Sequence, residues 1–247
     1  MTRFRWGVLV LTGVLLIVSA VMKIQNAALT VSGPVGGLPV VIIDPGHGGP
    51  DGGAVGVDGV VEKDINLSLA LKLRDMMKAS GFTVVMTREE DVSIHDPGVK
   101  GTRKQKTSDL HNRMAIMERY PDAIFISIHQ NKFGDSKQHG AQIFYGPKNE
   151  SSKALAEVVQ QNIISMLQPD NKRKCKKGEK NLYLIYEAKC PAILIECGFL
   201  SNREEARRLT DETYQAKLAF ATLCSVLEYL NEKQPSNLIT PPTTEQM

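Results

Sequence analysis

Two histidines and two glutamates in this chain stand where side chains that bind metals or move protons would have to stand. His47 follows Asp44-Pro45-Gly46, His129 sits inside Ser127-Ile128-His129-Gln130-Asn131, Glu196 follows the apolar run Ala192-Ile193-Leu194-Ile195, and Glu62 lies just ahead of an amphipathic stretch. Two neutral imidazoles, one carboxylate and a water make the open tetrahedral site typical of catalytic zinc, and the remaining carboxylate is then free to act as general base. Taken singly, none of these residues carries that chemistry. A histidine at a strand end is more often a hydrogen-bonded surface group than a ligand, and a glutamate at a helix start is favoured there by the helix dipole alone. Glu196 is harder to dismiss, because a carboxylate directly behind an apolar strand is costly near a core unless it is paired or bound.

The elements that must position these groups follow from hydrophobic periodicity. Residues 39–44 form a short, doubly apolar run ending in Pro-Gly, as expected of a central parallel strand. The glycines between 46 and 59 allow the following loop tight turns and close backbone approach. Ile65, Leu69, Leu73, Met76 and Met77 recur at helical spacing with Gly81 as a stop, which predicts a helix over 64–80 with Asp64 as its cap. A strand over 82–87 completes a βαβ unit. After a long polar connection over 88–107, a helix over 108–119 leads to a strand over 123–128, and 140–145 reads as a fourth strand at the sheet edge. Residues 151–167 read as helix, 182–186 as extended, 192–195 as a buried strand, and 202–209 and 211–231 as closing helices. The pattern predicts an α/β fold: a single α/β/α sandwich domain with a mostly parallel twisted central sheet and helices on both faces. In such sheets ligands bind at the carboxyl ends of the strands, which is where His47, His129 and Glu196 fall.

The whole chain has 247 residues, 42% of them hydrophobic and 23% charged, which suits one globular domain. A net charge of +3 is too small to argue for nucleic acid, and the lysine-rich stretches 100–106 and 172–180 read as solvated loops. Cys175, Cys190, Cys197 and Cys224 form no CxxC pair, so they are expected mostly free, with a single Cys175 to Cys190 bond left open. Arg3 and Arg5 precede an apolar run over 6–22, which Lys23 ends. That pattern predicts a membrane segment over 1–25 with the rest of the chain translocated, either a retained anchor or a signal cleaved after Val18-Ser19-Ala20. A small-residue linker over 26–38, a catalytic domain over 39–231 and a disordered tail over 232–247 complete the expected organisation.

The runs DPGHGGPDGGAVG (44–56), EKD (62–64), TR (87–88), SIHQN (127–131), GAQIFY (140–145) and IECGFLSN (195–202) resemble, in order and spacing, the type 3 family of N-acetylmuramoyl-L-alanine amidases. The single domain behind an N-terminal membrane segment resembles the germination-specific, spore-cortex subgroup. What the resemblance implies is specific. The family's zinc ligands fall on His47, Glu62 and His129, for one Zn2+ per chain; its catalytic glutamate falls on Glu196; and Asn131 matches a residue that shapes the substrate cleft. Cys197 departs from the family's usual apolar or small residue and is expected to pack on the face away from Glu196. His95, His111 and His139 match no metal position and are expected on loops or the surface. Some relatives insert a blocking helix after the strand matching 140–145, whereas here 146–150 runs almost directly into a helix, so no built-in plug is expected. The implied substrate is peptidoglycan, cut outside the cytoplasmic membrane at the bond between N-acetylmuramic acid and L-alanine. A regulatory protein partner is left open. A zinc peptidase acting within the stem peptide and a non-enzymatic wall-binding protein are the competing expectations.

Overall fold

The computed structural model describes residues 37–233; the expected membrane segment, most of the linker and nearly all of the tail lie outside them. Among the described residues no helix is long and apolar enough to cross a membrane. Val41, Ile42 and Ile43 are wholly buried, as a strand flanked on both sides and covered on both faces must be. They belong to β1 (Val41–Pro45), which pairs in parallel with β2 (Val84–Met86) and with β3 (Ile124–Asn131). β3 pairs in parallel with β6 (Ala192–Phe199), and β4 (Gln142–Tyr145) runs antiparallel on the far side of β6. The two-residue strand β5 (Lys176–Lys177) closes the order β2-β1-β3-β6-β4-β5.

Alternation along the strands sends side chains to two helical layers. Ile42, Phe125 and Leu194 meet Met114 and Met117 of α2 (Thr102–Glu118) and Leu184 and Ile185 of α4 (Tyr183–Glu187). The other face is covered by α1 (Glu62–Ala79), α3 (Ser151–Leu167) and α6 (Glu212–Lys233), with α5 (Arg203–Thr210) packed on α6. The buried residues Ile65, Leu69, Leu73 and Met77 form the inward stripe of α1, as their helical spacing requires.

Four expectations are corrected. Most of the lysine-rich stretch 100–106 is not loop, since α2 begins at Thr102, six residues before its expected start. Residues 182–186 are not extended: α4 is a short helix whose Leu184, Ile185 and Ala188 are all buried, a set that shares one helical face but would split between two faces of a strand. Asp64 is not a cap, since α1 begins at Glu62 behind Val61 with no side-chain cap, which leaves Asp64 as an acidic residue of the first turn. β4 is not an edge strand, because β5 pairs outside it; two exposed lysines on so short an edge discourage further pairing.

Candidate active site

β1, β3 and β6 are neighbours running the same way, so the loops after them open on one edge of the sheet. His47 follows β1 with φ 63, in the left-handed region that disfavours a side chain. The turn is pinned at Gly46, whose N–H donates to Ile128 O at 3.0 Å. A Cβ on Gly46 would lie 2.2 Å from Cε1 of the His129 ring, and one on Gly53 would lie 2.5 Å from Glu62 Oε2. Glycine at these two positions makes the room in which the reactive side chains meet.

Glu62 opens α1 and is fixed by its surroundings. Oε2 accepts from Ala54 N at 2.8 Å, and Oε1 accepts from Gln130 N at 3.0 Å. Oε1 also lies 2.9 Å from His129 Nδ1 and 3.3 Å from His47 Nε2. The two imidazoles meet edge to face with centroids 4.9 Å apart. One ligand atom from each of His47, Glu62 and His129 falls within 4.8 Å of the others. Two ring nitrogens and a carboxylate oxygen converging at that separation fit a divalent cation. Burial alone would raise the Glu62 carboxyl, but hydrogen bonds from His129 and His47 hold it far below the usual range. Burial would lower His47, yet its contacts with Asp51 and Glu62 raise it to about 9.

Glu196 lies in register with His129 across the β3–β6 pairing, on the same face. Burial pushes its carboxyl up to about 7, against the pull of His129 and with the charge of Glu62 adding to the rise. Its Oε2 is buried without a hydrogen-bond partner among the described residues. A buried polar atom left unpaired at such a place calls for a functional explanation. Cys197, next along β6, is buried on the opposite face, as expected. Asn131 ends β3 beyond a bulge and is not among the residues lining the cleft beside the cluster. His95 lies in the connection before α2, and His111 and His139 are exposed, none of them near the centre's ligand set. All four cysteines are free.

Sequence reasoning did not foresee the groups that hold this centre in place. Asp51 Oδ2 lies 2.9 Å from His47 Nδ1, a charge contact on the side of the ring away from Glu62 that no aligned hydrogen bond closes. Beneath the cluster, Asp44 accepts from Arg113 Nη1 at 2.6 Å, Thr87 Oγ1 at 2.7 Å and Ser127 Oγ at 2.6 Å. Arg113 donates further to Asp109, to Pro45 O at 2.8 Å and to His47 O at 2.7 Å. Arg88 donates to the carbonyls of Pro45, Gly46 and Lys63. The two arginines thus hold the backbone on either side of the ligand loop. Asp44, Asp51 and Arg88 lie inside the runs DPGHGGPDGG and TR, which was the one signal available for them. From the cluster a cleft of about 260 Å³ extends between α2 and α4, with Leu110, Leu182, Tyr183 and Leu194 among its walls.

Comparison with known proteins places this geometry. Residues 41–228 match a family model described as N-acetylmuramoyl-L-alanine amidase. The germination-specific N-acetylmuramoyl-L-alanine amidase of Bacillus subtilis (strain 168) is 38% identical over 194 residues, covering 78% of this chain and 81% of the relative. Among solved structures, the CwlD amidase of Clostridioides difficile, determined in complex with the GerS lipoprotein, is 41% identical with a TM-score of 0.76, covering 79% of this chain and all (100%) of that one. The amidase AmiC2 of Nostoc punctiforme is 31% identical with a TM-score of 0.66, covering 78% of this chain and 97% of that one.

Proposed function

The chain belongs to the N-acetylmuramoyl-L-alanine amidase family, and on that premise we propose that it is a zinc enzyme hydrolysing the amide between N-acetylmuramic acid and L-alanine in peptidoglycan. His47, Glu62 and His129 would hold one zinc ion per chain, on the strength of their convergence. Zinc there supplies a Lewis acid that polarises the scissile carbonyl and brings the pKa of water toward neutrality. The proton work falls to Glu196. Its carboxylate takes a proton from the attacking water and then delivers it to the alanine nitrogen, a poor leaving group while unprotonated. Acid/base groups work best near the operating pH, and burial moves the Glu196 carboxyl in that direction. Asp51, 2.9 Å from His47 Nδ1, would favour the ring orientation that turns Nε2 inward. The assignment of Asn131 to the substrate rests on the family motif alone.

The observation that carries this proposal is the buried, unpaired Oε2 of Glu196, in register with His129 on one sheet edge and in the lining of the cleft. The similarity to a germination-specific amidase and to CwlD supports a role in spore-cortex maturation, where stripping the peptide prepares muramic acid for lactam formation. It also supports action outside the cytoplasmic membrane, reached through the N-terminal segment as anchor or signal. That the CwlD structure contains a lipoprotein supports a protein partner here as well. The test is digestion of purified peptidoglycan by the zinc-loaded protein. New alanine N-termini together with intact, peptide-free glycan are expected; new amino groups within the stem would identify a peptidase instead.

A further inference from the structure

Two lysine or arginine side chains line the cleft beside the metal ligands, and they differ in kind. Arg113 is 2% exposed and committed to Asp44, Asp109 and the carbonyls of Pro45 and His47. Lys106, on α2, is 51% exposed, and its one ionic contact among the described residues is Asp51 Oδ2 at 3.1 Å. An ammonium has three donors, so Lys106 has two to spare at the mouth of the cleft. Asp51 in turn touches His47, which places the ammonium two short contacts from the centre. Leu110 lies one helical turn beyond Lys106 on the same face of α2, and Leu182 and Leu184 of the α4 segment contribute to the same lining. The cleft therefore presents an apolar wall with Lys106 at its entrance, the one lysine or arginine of the lining not committed to a buried pair, and with the carboxylates of Asp51 and Asp109 in the same lining.

The two sides of the scissile amide are chemically unlike. The sugar side is uncharged, broad and rich in hydroxyls; the peptide side begins with a methyl group and continues with an acidic residue. The leucines in the wall of the cleft offer contact to the methyl group of alanine and no partners to the hydroxyls of a glycan strand, so the cleft suits the peptide side. Resting on the amidase function proposed above, we infer that the cleft receives the peptide side and that Lys106 binds the carboxylate of the residue after L-alanine. The glycan then stays outside the cleft, and Lys106 sets a preference for stems whose second residue is ionised.

The test uses the zinc-loaded full chain and two sets of soluble peptidoglycan oligomers. In one, the residue after L-alanine is glutamate with a free α-carboxylate; in the other that carboxylate is amidated. The wild type should prefer the acidic stem by a factor on the order of five in kcat/KM, carried by KM, the scale of a half-exposed ion pair. Lys106→Gln should bring that ratio to about one, and Lys106→Arg should preserve it. Because each ratio is taken on one preparation, differences in zinc content cancel. Equal rates on both stems in the wild type, or a preference that survives in Lys106→Gln, overturn the inference. If the zinc-loaded wild type hydrolyses neither set, the amidase function itself falls and this inference with it.

Discussion

Four side chains carry the proposed chemistry, and their environments divide the labour between them. Glu62 is bound by two backbone N–H groups and two imidazoles, so its charge is fixed. Glu196 has no such partners at Oε2 and is free to gain and lose a proton. Glu196→Gln should therefore keep the fold and the zinc while activity falls by a factor on the order of 10² or more. The amide matches the carboxyl in size but takes up no proton at neutral pH. His129→Ala should instead lose most bound zinc along with activity, since two remaining ligands hold the ion poorly. Zinc content and peptidoglycan hydrolysis on the same preparations separate the two; loss of zinc in step with activity in Glu196→Gln would remove it from the general-base role. All four were singled out in the sequence as candidates because each sits where an apolar run ends or an amphipathic one begins, and the ligand and base roles proposed for them came from the resemblance to the family. Asp51 and Lys106 were not, for they are polar residues in polar stretches and only the folded loop brings them to His47.

At the level of elements, the buried ion pairs of Arg113 join α2 to β1, and its hydrogen bonds reach the ligand loop. Removing one partner of a buried pair strands the other charge, which typically costs about 3–5 kcal/mol. Arg113→Met is expected to lose stability on that scale in urea unfolding at pH 7. The effect has a pH sign. Burial raises the Asp44 carboxyl, but Arg113, Ser127 and Thr87 together bring it below the usual aspartate range. A group depressed in the folded state stabilises above its unfolded pKa, and that contribution disappears as pH falls through the folded value. The gap between wild type and Arg113→Met should therefore narrow as the pH is lowered below about 4; a gap that is constant from pH 7 to pH 3 would argue against the pairing. No periodic pattern announces a contact between Asp44 and Arg113, whose partners lie far apart in the chain. The same limit applies to α4: a short apolar run around Leu184 reads equally as strand or helical turn until its neighbours are known. The connection from β4 to α3 met its expectation for a reason the sequence did not hold. β4 runs antiparallel, so Gly146 pairs beside Ala192 at the edge opposite His129, and 146–150 does not cover the site.

For the molecule as a whole, the proposed ligands come from three separate segments: the loop after β1, the start of α1 and the end of β3. An ion that needs all three binds the folded chain and not the unfolded one, so its affinity becomes folding stability. At free zinc 100 times the dissociation constant the gain is about 2.7 kcal/mol, or roughly 5–10 °C in Tm for a domain of this size. Scanning calorimetry before and after chelation checks this, and a Tm indifferent to zinc would count against the site. Two of the four thiols are kept protonated at neutral pH: burial pushes Cys190 up to about 11 and Cys197 up to about 12.

The glycine ahead of His47 gives experimenters an unusual kind of blank. Backbone pairing to Ile128 keeps Gly46 from retreating, and the methyl of Gly46→Ala would occupy the space of the His129 ring. That one carbon should displace the imidazole and empty the site of zinc, measurable by metal analysis, while every donor, acceptor and charge remains in the chain. Bound metal at the wild-type level would show that the ring has somewhere else to go. A protein so altered keeps the full chemical inventory of the enzyme and lacks only its assembly, which lets binding to the wall be weighed apart from the cutting of it.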